Sequence, residues 1–139
     1  MDDVLTIVFA IAVLGHGVAH AVATVNLGRQ AAGAGNEGAH TVRSWLLPNL
    51  SPAAAASLAM AFWLPATIGF IVAVPMMLDI VVADGPWSAM LVGSAILSAA
   101  GIGLLGGIWP GGEARLRLLH VFLALSMDAI VVVTQLVLA

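Results

Sequence analysis

The sequence predicts an all-α polytopic membrane protein, four transmembrane helices in an up-down bundle, with one domain over residues 1–139. Three observations carry this. Hydrophobic residues make up 62% of the chain and charged residues 8%, against roughly a quarter charged in a soluble domain. A soluble chain this apolar could not cover its own surface with polar groups. Four stretches reach the roughly 20 apolar residues that a hydrocarbon core requires of a helix. No stretch sustains the period-two alternation of a membrane β-strand.

The first span covers residues 4–26. Its lead-in starts with Asp2 and Asp3, whereas a secretory signal starts basic and ends at a small-residue cleavage site, so it reads as a retained helix. Asn26 is expected at its C-terminal end. The second span, residues 53–80, opens at Ser51-Pro52, an N-cap with proline at the first helical position. Pro65 and Pro75 lie inside it and predict kinks that free backbone carbonyls. In a membrane such carbonyls meet a neighbouring helix or line a cavity. The third span, residues 87–108, follows the turn Asp84-Gly85-Pro86 and ends at Pro110-Gly111-Gly112. The fourth covers residues 116–138.

Small residues recur at four-residue steps: Gly15, Ala19 and Ala23 in span one, and Ala95, Ala99, Gly103 and Gly107 in span three. Such rows let backbones approach, within the bundle or across a homo-oligomer face.

Arg29 and Arg43 fall in loop one, and Arg115 and Arg117 in loop three. The N-terminus and the second loop carry only acids. The positive-inside rule therefore places loops one and three in the cytoplasm and both termini outside. Trp45, Trp87 and Trp109 stand at span ends, where indole prefers the headgroups, whereas Trp63 is well inside span two. Loop one, about residues 27–50, starts small and polar and is expected to be mobile. Its end, with Trp45, Leu46 and Leu47, is expected to lie on the membrane surface.

Several function classes drop out. Without cysteine there is no disulfide, thiolate metal site or cysteine nucleophile. There is no basic run for nucleic acid, no phosphate loop and no nucleophile elbow. The expected partner is the lipid bilayer, with a homo-oligomer or a larger membrane complex as further options.

The chemistry-bearing residues are His16 and His20 in span one, and His120 and Asp128 in span four. His16 and His20 are one helical turn apart and share a face. Asp128 is eight residues from His120 and shares its face. A carboxylate at that depth costs roughly 2.5–3.5 kcal/mol on insertion scales and faces the bundle interior or a wet cavity. Depths match across the bundle. At ~1.5 Å per residue, His16 lies ~15 Å inside Asn26 and Asp128 ~18 Å inside Leu116. His20 lies ~9 Å and His120 ~6 Å from the same surface. Helices one and four neighbour each other in an up-down bundle, which predicts one cluster of these four side chains between them.

Four chemistries suit such a cluster. It is a structural clasp of hydrogen bonds. It is a proton or cation path, since Asp and His relay protons. It is a metal site, His16, His20 and His120 with Asp128 making an N₃O set suited to zinc, or a haem held by His20 and His120. Or it is an acid–base centre acting on a lipid-soluble substrate, with Trp63, Thr67, Ser94 and Ser98 lining the pocket. The hydroxyls of Thr67, Ser94 and Ser98 are expected to bond back to their own helix carbonyls. His40, Asp79 and Asp84 are expected in solvent, Gln135 near the outer end, where it need not be buried, and Met76 and Met77 as packing residues.

The string LGHGVAHAV, followed by three more apolar spans, resembles a group of small bacterial four-helix membrane proteins with an H-G-x-x-H first helix. It is also loosely similar to DoxX-type proteins, where a lysine stands in place of His20. The resemblance implies a four-helix bundle in a bacterial inner membrane and singles out His16 and His20. It implies no activity.

Overall fold

The computed structural model describes residues 3–34, 44, 46–81, 86–105 and 114–138, without the side chains of 114–117 and 138. It contains four helices: α1 (Asp3–Ala31), α2 (Pro52–Met77), α3 (Trp87–Leu104) and α4 (Ala114–Leu138). All four are long and apolar enough to cross a membrane. The expectations for His40, Arg43, Trp45, Asp84-Gly85, Gly107, Trp109, Pro110-Gly111-Gly112 and the Arg115 and Arg117 side chains fall outside the described residues.

Two apolar clusters show how the helices run. One joins Ala23 and Leu27 late in α1, Ala55 to Trp63 early in α2, Ile102 and Leu105 at the end of α3, and Ala124 of α4. The other joins Ala10 and Val13 of α1, Ala66 to Met77 late in α2, Leu91 and Ala95 early in α3, and Val131 of α4. Late meets early at each step, so successive helices alternate in direction. Between the clusters lies a layer that each helix crosses once.

The helix ends follow local chemistry. Ser51 caps α2, its hydroxyl accepting from the Ala54 amide at 3.2 Å, with Pro52 in the first turn. Helix α1 does not stop at Asn26. Leu27 is buried against the early part of α2, and this burial carries the helix one more turn than hydropathy suggests. Gly33, at φ 71°, then ends it, and the Ala34 amide bonds back to the Arg29 carbonyl at 2.9 Å. Helix α2 continues through Pro65 and Pro75 and ends at Met77 rather than at residue 80. There the Pro75 carbonyl accepts from the Ile80 amide at 2.9 Å. Helix α3 ends at Leu104 rather than residue 108. The Leu104 carbonyl accepts from the Ser44 hydroxyl at 2.9 Å, and that hydroxyl accepts from the Leu47 amide at 3.0 Å. So the end of loop one is tied to the bundle at Ser44, while Leu46 and Leu47 stay exposed.

Close backbone approach occurs at glycines other than those of the predicted rows. A Cβ at Gly17 would stand 3.1 Å from Phe70 Cβ and 3.3 Å from Ile71 Cγ1. A Cβ at Gly101 would run into the Trp63 indole. Gly15 and Gly103 have nothing within 4 Å on that side, and Ala19 is exposed. Each of these helices has several small-residue stripes, and the bulky partner opposite decides which is used. Here Phe70 and Trp63 decide.

Helix α1 packs on α2, α2 on α3 and α3 on α4, whereas α1 and α4 touch over only a short stretch. The α1–α4 contact is thus the smallest between adjoining helices, and the His16–Asp128 bond lies across it.

Candidate functional site

The layer between the two clusters is polar, and the sequence positions explain why. On α1, Val13 belongs to one cluster and Ala23 to the other, with His16 and His20 between them. On α3, Ser98 stands between Ala95 and Ile102, and on α4, Asp128 stands between Ala124 and Val131. Helix α2 contributes its aromatic pair, Trp63 and Phe70, one from each cluster.

These side chains form one hydrogen-bonded chain. His16 Nε2 lies 2.9 Å from Asp128 Oδ1. Ser98 Oγ donates to Asp128 Oδ2 at 2.7 Å. His20 Nε2 lies 2.9 Å from the same Ser98 oxygen. A hydroxyl carries a single proton, so while Ser98 donates to Asp128, His20 must donate to Ser98. His20 then holds its proton on Nε2, while between His16 Nε2 and Asp128 Oδ1 the tautomer decides which side donates. The side chain of Asp128 is 2% exposed and that of His16 7%. His20 and Ser98 are fully buried.

Aromatic edges hold the rings in place. The His16 and His20 rings meet edge-on, centroids 4.7 Å apart at 79°. Phe70 meets His16 edge-on at 5.0 Å, and Trp63 meets His20 edge-on at 4.9 Å. Trp63 thus fixes His20 from the second helix. The Gly101 backbone leaves room for its indole.

The predicted four-member cluster is a three-member one. The ligand-capable atoms of His16, His20 and Asp128 lie within 4.8 Å of one another, and His120 is not in this group. His120 is half-buried on α4, two turns away on the loop-three side. The third helix adds Ser98, which the sequence placed only among pocket-lining residues. It does not serve only its own helix but joins His20 to Asp128, and so links α1 to α4 through α3. Spacing gave no sign of this, because a serine in an apolar helix ordinarily bonds to its own backbone. Thr67 does so, donating to the Trp63 carbonyl at 2.7 Å and receiving Thr24 at 3.3 Å. Ser94 is buried where Gly69 makes room for its hydroxyl. Gln135, for which burial was not required, is buried on α4 two turns beyond Asp128. Asp79 is exposed as expected, at φ 52°.

The donors present do not fit a haem. The His20 ring is enclosed by Trp63, His16 and Phe70, and its Nε2 is engaged by Ser98. A macrocycle has no space at that nitrogen. His16, His20 and Asp128 each bring one ligand-capable atom within 4.8 Å of the others, a donor set that a small ion such as zinc accepts. In the described state these atoms are engaged with one another and with Ser98.

Asp128 also borders a groove of about 310 Å³ between α3 and α4. Ala95 and Ala99 form one wall, and Leu125, Ala129 and Val132 the other. Ile96 and Val133, at 57% and 58% exposure, stand at its outer rim. Trp63, Thr67, Ser94 and Ser98 do not line this groove.

No family model, no curated protein and no solved structure matches this chain.

Proposed function

We propose that this chain is a bilayer-spanning four-helix protein whose His16–Asp128–Ser98–His20 chain binds a proton within the membrane and passes it along. The membrane is that of a bacterial cell, with both termini outside and loops one and three in the cytoplasm. One observation carries the reading: the four groups are joined without a break by hydrogen bonds of 2.7–2.9 Å.

Such a chain has two polarities. In one, both Nε2–H groups point toward an ionised Asp128. In the other, Asp128 carries the proton, donates to Ser98, and Ser98 donates to His20, whose ring proton then sits on Nδ1. Adding one proton at His20 Nδ1, with the Nε2 and hydroxyl protons each passed one step toward Asp128, converts the first into the second, and releasing one proton restores the first. With both imidazoles neutral and Asp128 ionised, the cluster carries one negative charge. One added proton leaves it with none, the condition that an apolar surround tolerates best.

The second reading is a structural clasp, favoured by how little of the cluster is exposed. Proton flux separates the two. Purified protein in liposomes under an imposed pH gradient is expected to dissipate the gradient faster than empty liposomes, and Asp128→Asn to abolish the excess. Asparagine keeps the shape and one acceptor but cannot exchange a proton. Equal rates in wild type and Asp128→Asn would overturn the proton reading and leave the clasp.

A further inference from the structure

We propose that His16, His20 and Asp128 hold a divalent transition-metal ion of the zinc class inside the bundle, and that the bound ion blocks the proton path. The binding stands on the donor set alone; the block rests on the proton reading above.

The donors are of the right kind. Two imidazoles and a carboxylate form a set that zinc takes where three protein ligands leave a fourth position open. His16 and His20 are four residues apart on one helical face, the spacing by which a helix grips zinc with two rings. Asp128 meets them from α4. Magnesium and calcium prefer shells of oxygen, so the two imidazoles select against them.

The donors are also close enough. At bonds of about 2.0–2.1 Å, tetrahedral ligands stand ~3.3–3.4 Å from one another. His16 Nε2 and Asp128 Oδ1 are 2.9 Å apart, slightly nearer than this. The widest separation in the set is within 4.8 Å, slightly farther. Small rotations of three side chains bring every pair to the required spacing, with no helix displaced. Asp128 and His16 are 2% and 7% exposed and His20 is fully buried, so protein donors rather than bulk water surround the ion. His16, the most exposed of the three, is the ligand that an arriving ion meets first.

The block follows from lone pairs. Zinc binds an imidazole only at an unprotonated nitrogen. The His20–Ser98 bond runs through His20 Nε2 in either polarity of the chain, and the His16–Asp128 bond runs through His16 Nε2. An ion on both nitrogens removes both bonds and cuts the chain at each ring. The same ion ties α1 to α4, the two helices with the smallest mutual contact.

The test uses zinc itself. Full-length protein in dodecylmaltoside micelles is stripped with a chelator, then titrated with zinc against a coloured competitor of known affinity. Wild type is expected to bind about one zinc per chain, and His20→Gln and Asp128→Asn to bind at least about tenfold more weakly at unchanged helical content. Ser98→Ala interrupts the proton chain but removes no ligand, and His120→Gln lies outside the group; both are expected to bind zinc as wild type does. In liposomes, saturating zinc is expected to lower wild-type proton flux at least about tenfold, and magnesium at the same concentration to leave it unchanged. No saturable zinc binding by wild type overturns the site. Undiminished binding in both His20→Gln and Asp128→Asn overturns its location. Loss of binding in Ser98→Ala overturns the ligand assignment. Zinc bound with flux unchanged overturns the block. Absence of flux before zinc is added overturns the proton reading and leaves the metal site standing.

Discussion

Replacing Ser98 with alanine deletes a single oxygen and leaves every helix contact otherwise in place. Ser98 is fully buried, so water cannot take over its role from outside. The hydroxyl makes two bonds, 2.7 Å to Asp128 Oδ2 and 2.9 Å to His20 Nε2. Side-chain hydrogen bonds between membrane helices average about 0.6 kcal/mol each, which puts the stability loss at about 1.2 kcal/mol. If the transfer barrier rises by the same amount, the rate through the chain falls about eightfold, since about 1.4 kcal/mol is tenfold. The break is more severe than this if no other group carries the proton from Asp128 to His20, so eightfold is a lower bound. The assay is gradient dissipation in liposomes, run beside denaturant titration in micelles. The expected result is a protein slightly less stable than wild type with flux reduced at least eightfold. Flux equal to wild type in Ser98→Ala would show that the proton does not travel through this hydroxyl. The chain reading would then fail even if Asp128 proved essential.

Further outcomes follow from individual contacts. Gly101→Ala places a methyl against the Trp63 indole and Phe62; overpacking of this kind costs about 1–3 kcal/mol, read as a lower unfolding midpoint in micelles. Gly103→Ala, with nothing within 4 Å of its new carbon, is expected to be neutral or to stabilise by up to about 1 kcal/mol through helix propensity. Ser44→Ala removes the tie between loop one and the Leu104 carbonyl; about 1 kcal/mol of local stability goes with it, seen as faster amide exchange in residues 46–50 with α1 and α2 unaffected. Zinc added in equilibrium dialysis is expected to bind wild type more tightly than His16→Gln, because His16, His20 and Asp128 each bring a ligand-capable atom within 4.8 Å of the others.

The two outer-helix groups with matching depth, His16 and Asp128, were legible before any coordinates. Each sits mid-span in a helix whose flanks are apolar, and rise per residue alone places them level. His20 was equally visible as the partner of His16 on one helical face. His120 was grouped with them on the same arithmetic, but depth is one coordinate of three. It fixes the level of a side chain in the bilayer and says nothing of how far it stands from a residue on another helix.

Composition and pattern by themselves determined four apolar helices, the Ser51 cap and the placement of ionisable groups at mid-depth. These depend on hydropathy and on local backbone chemistry, which are properties of short segments. Only the tertiary arrangement decided that Ser98 carries the link and that Gly17 and Gly101 rather than Gly15 and Gly103 make the close approaches. The physical reason is that a helix in an apolar medium has no strongly amphipathic face to declare its rotation. Which stripe turns inward is settled by the fit of a few bulky side chains, here Trp63 and Phe70, against the backbones opposite.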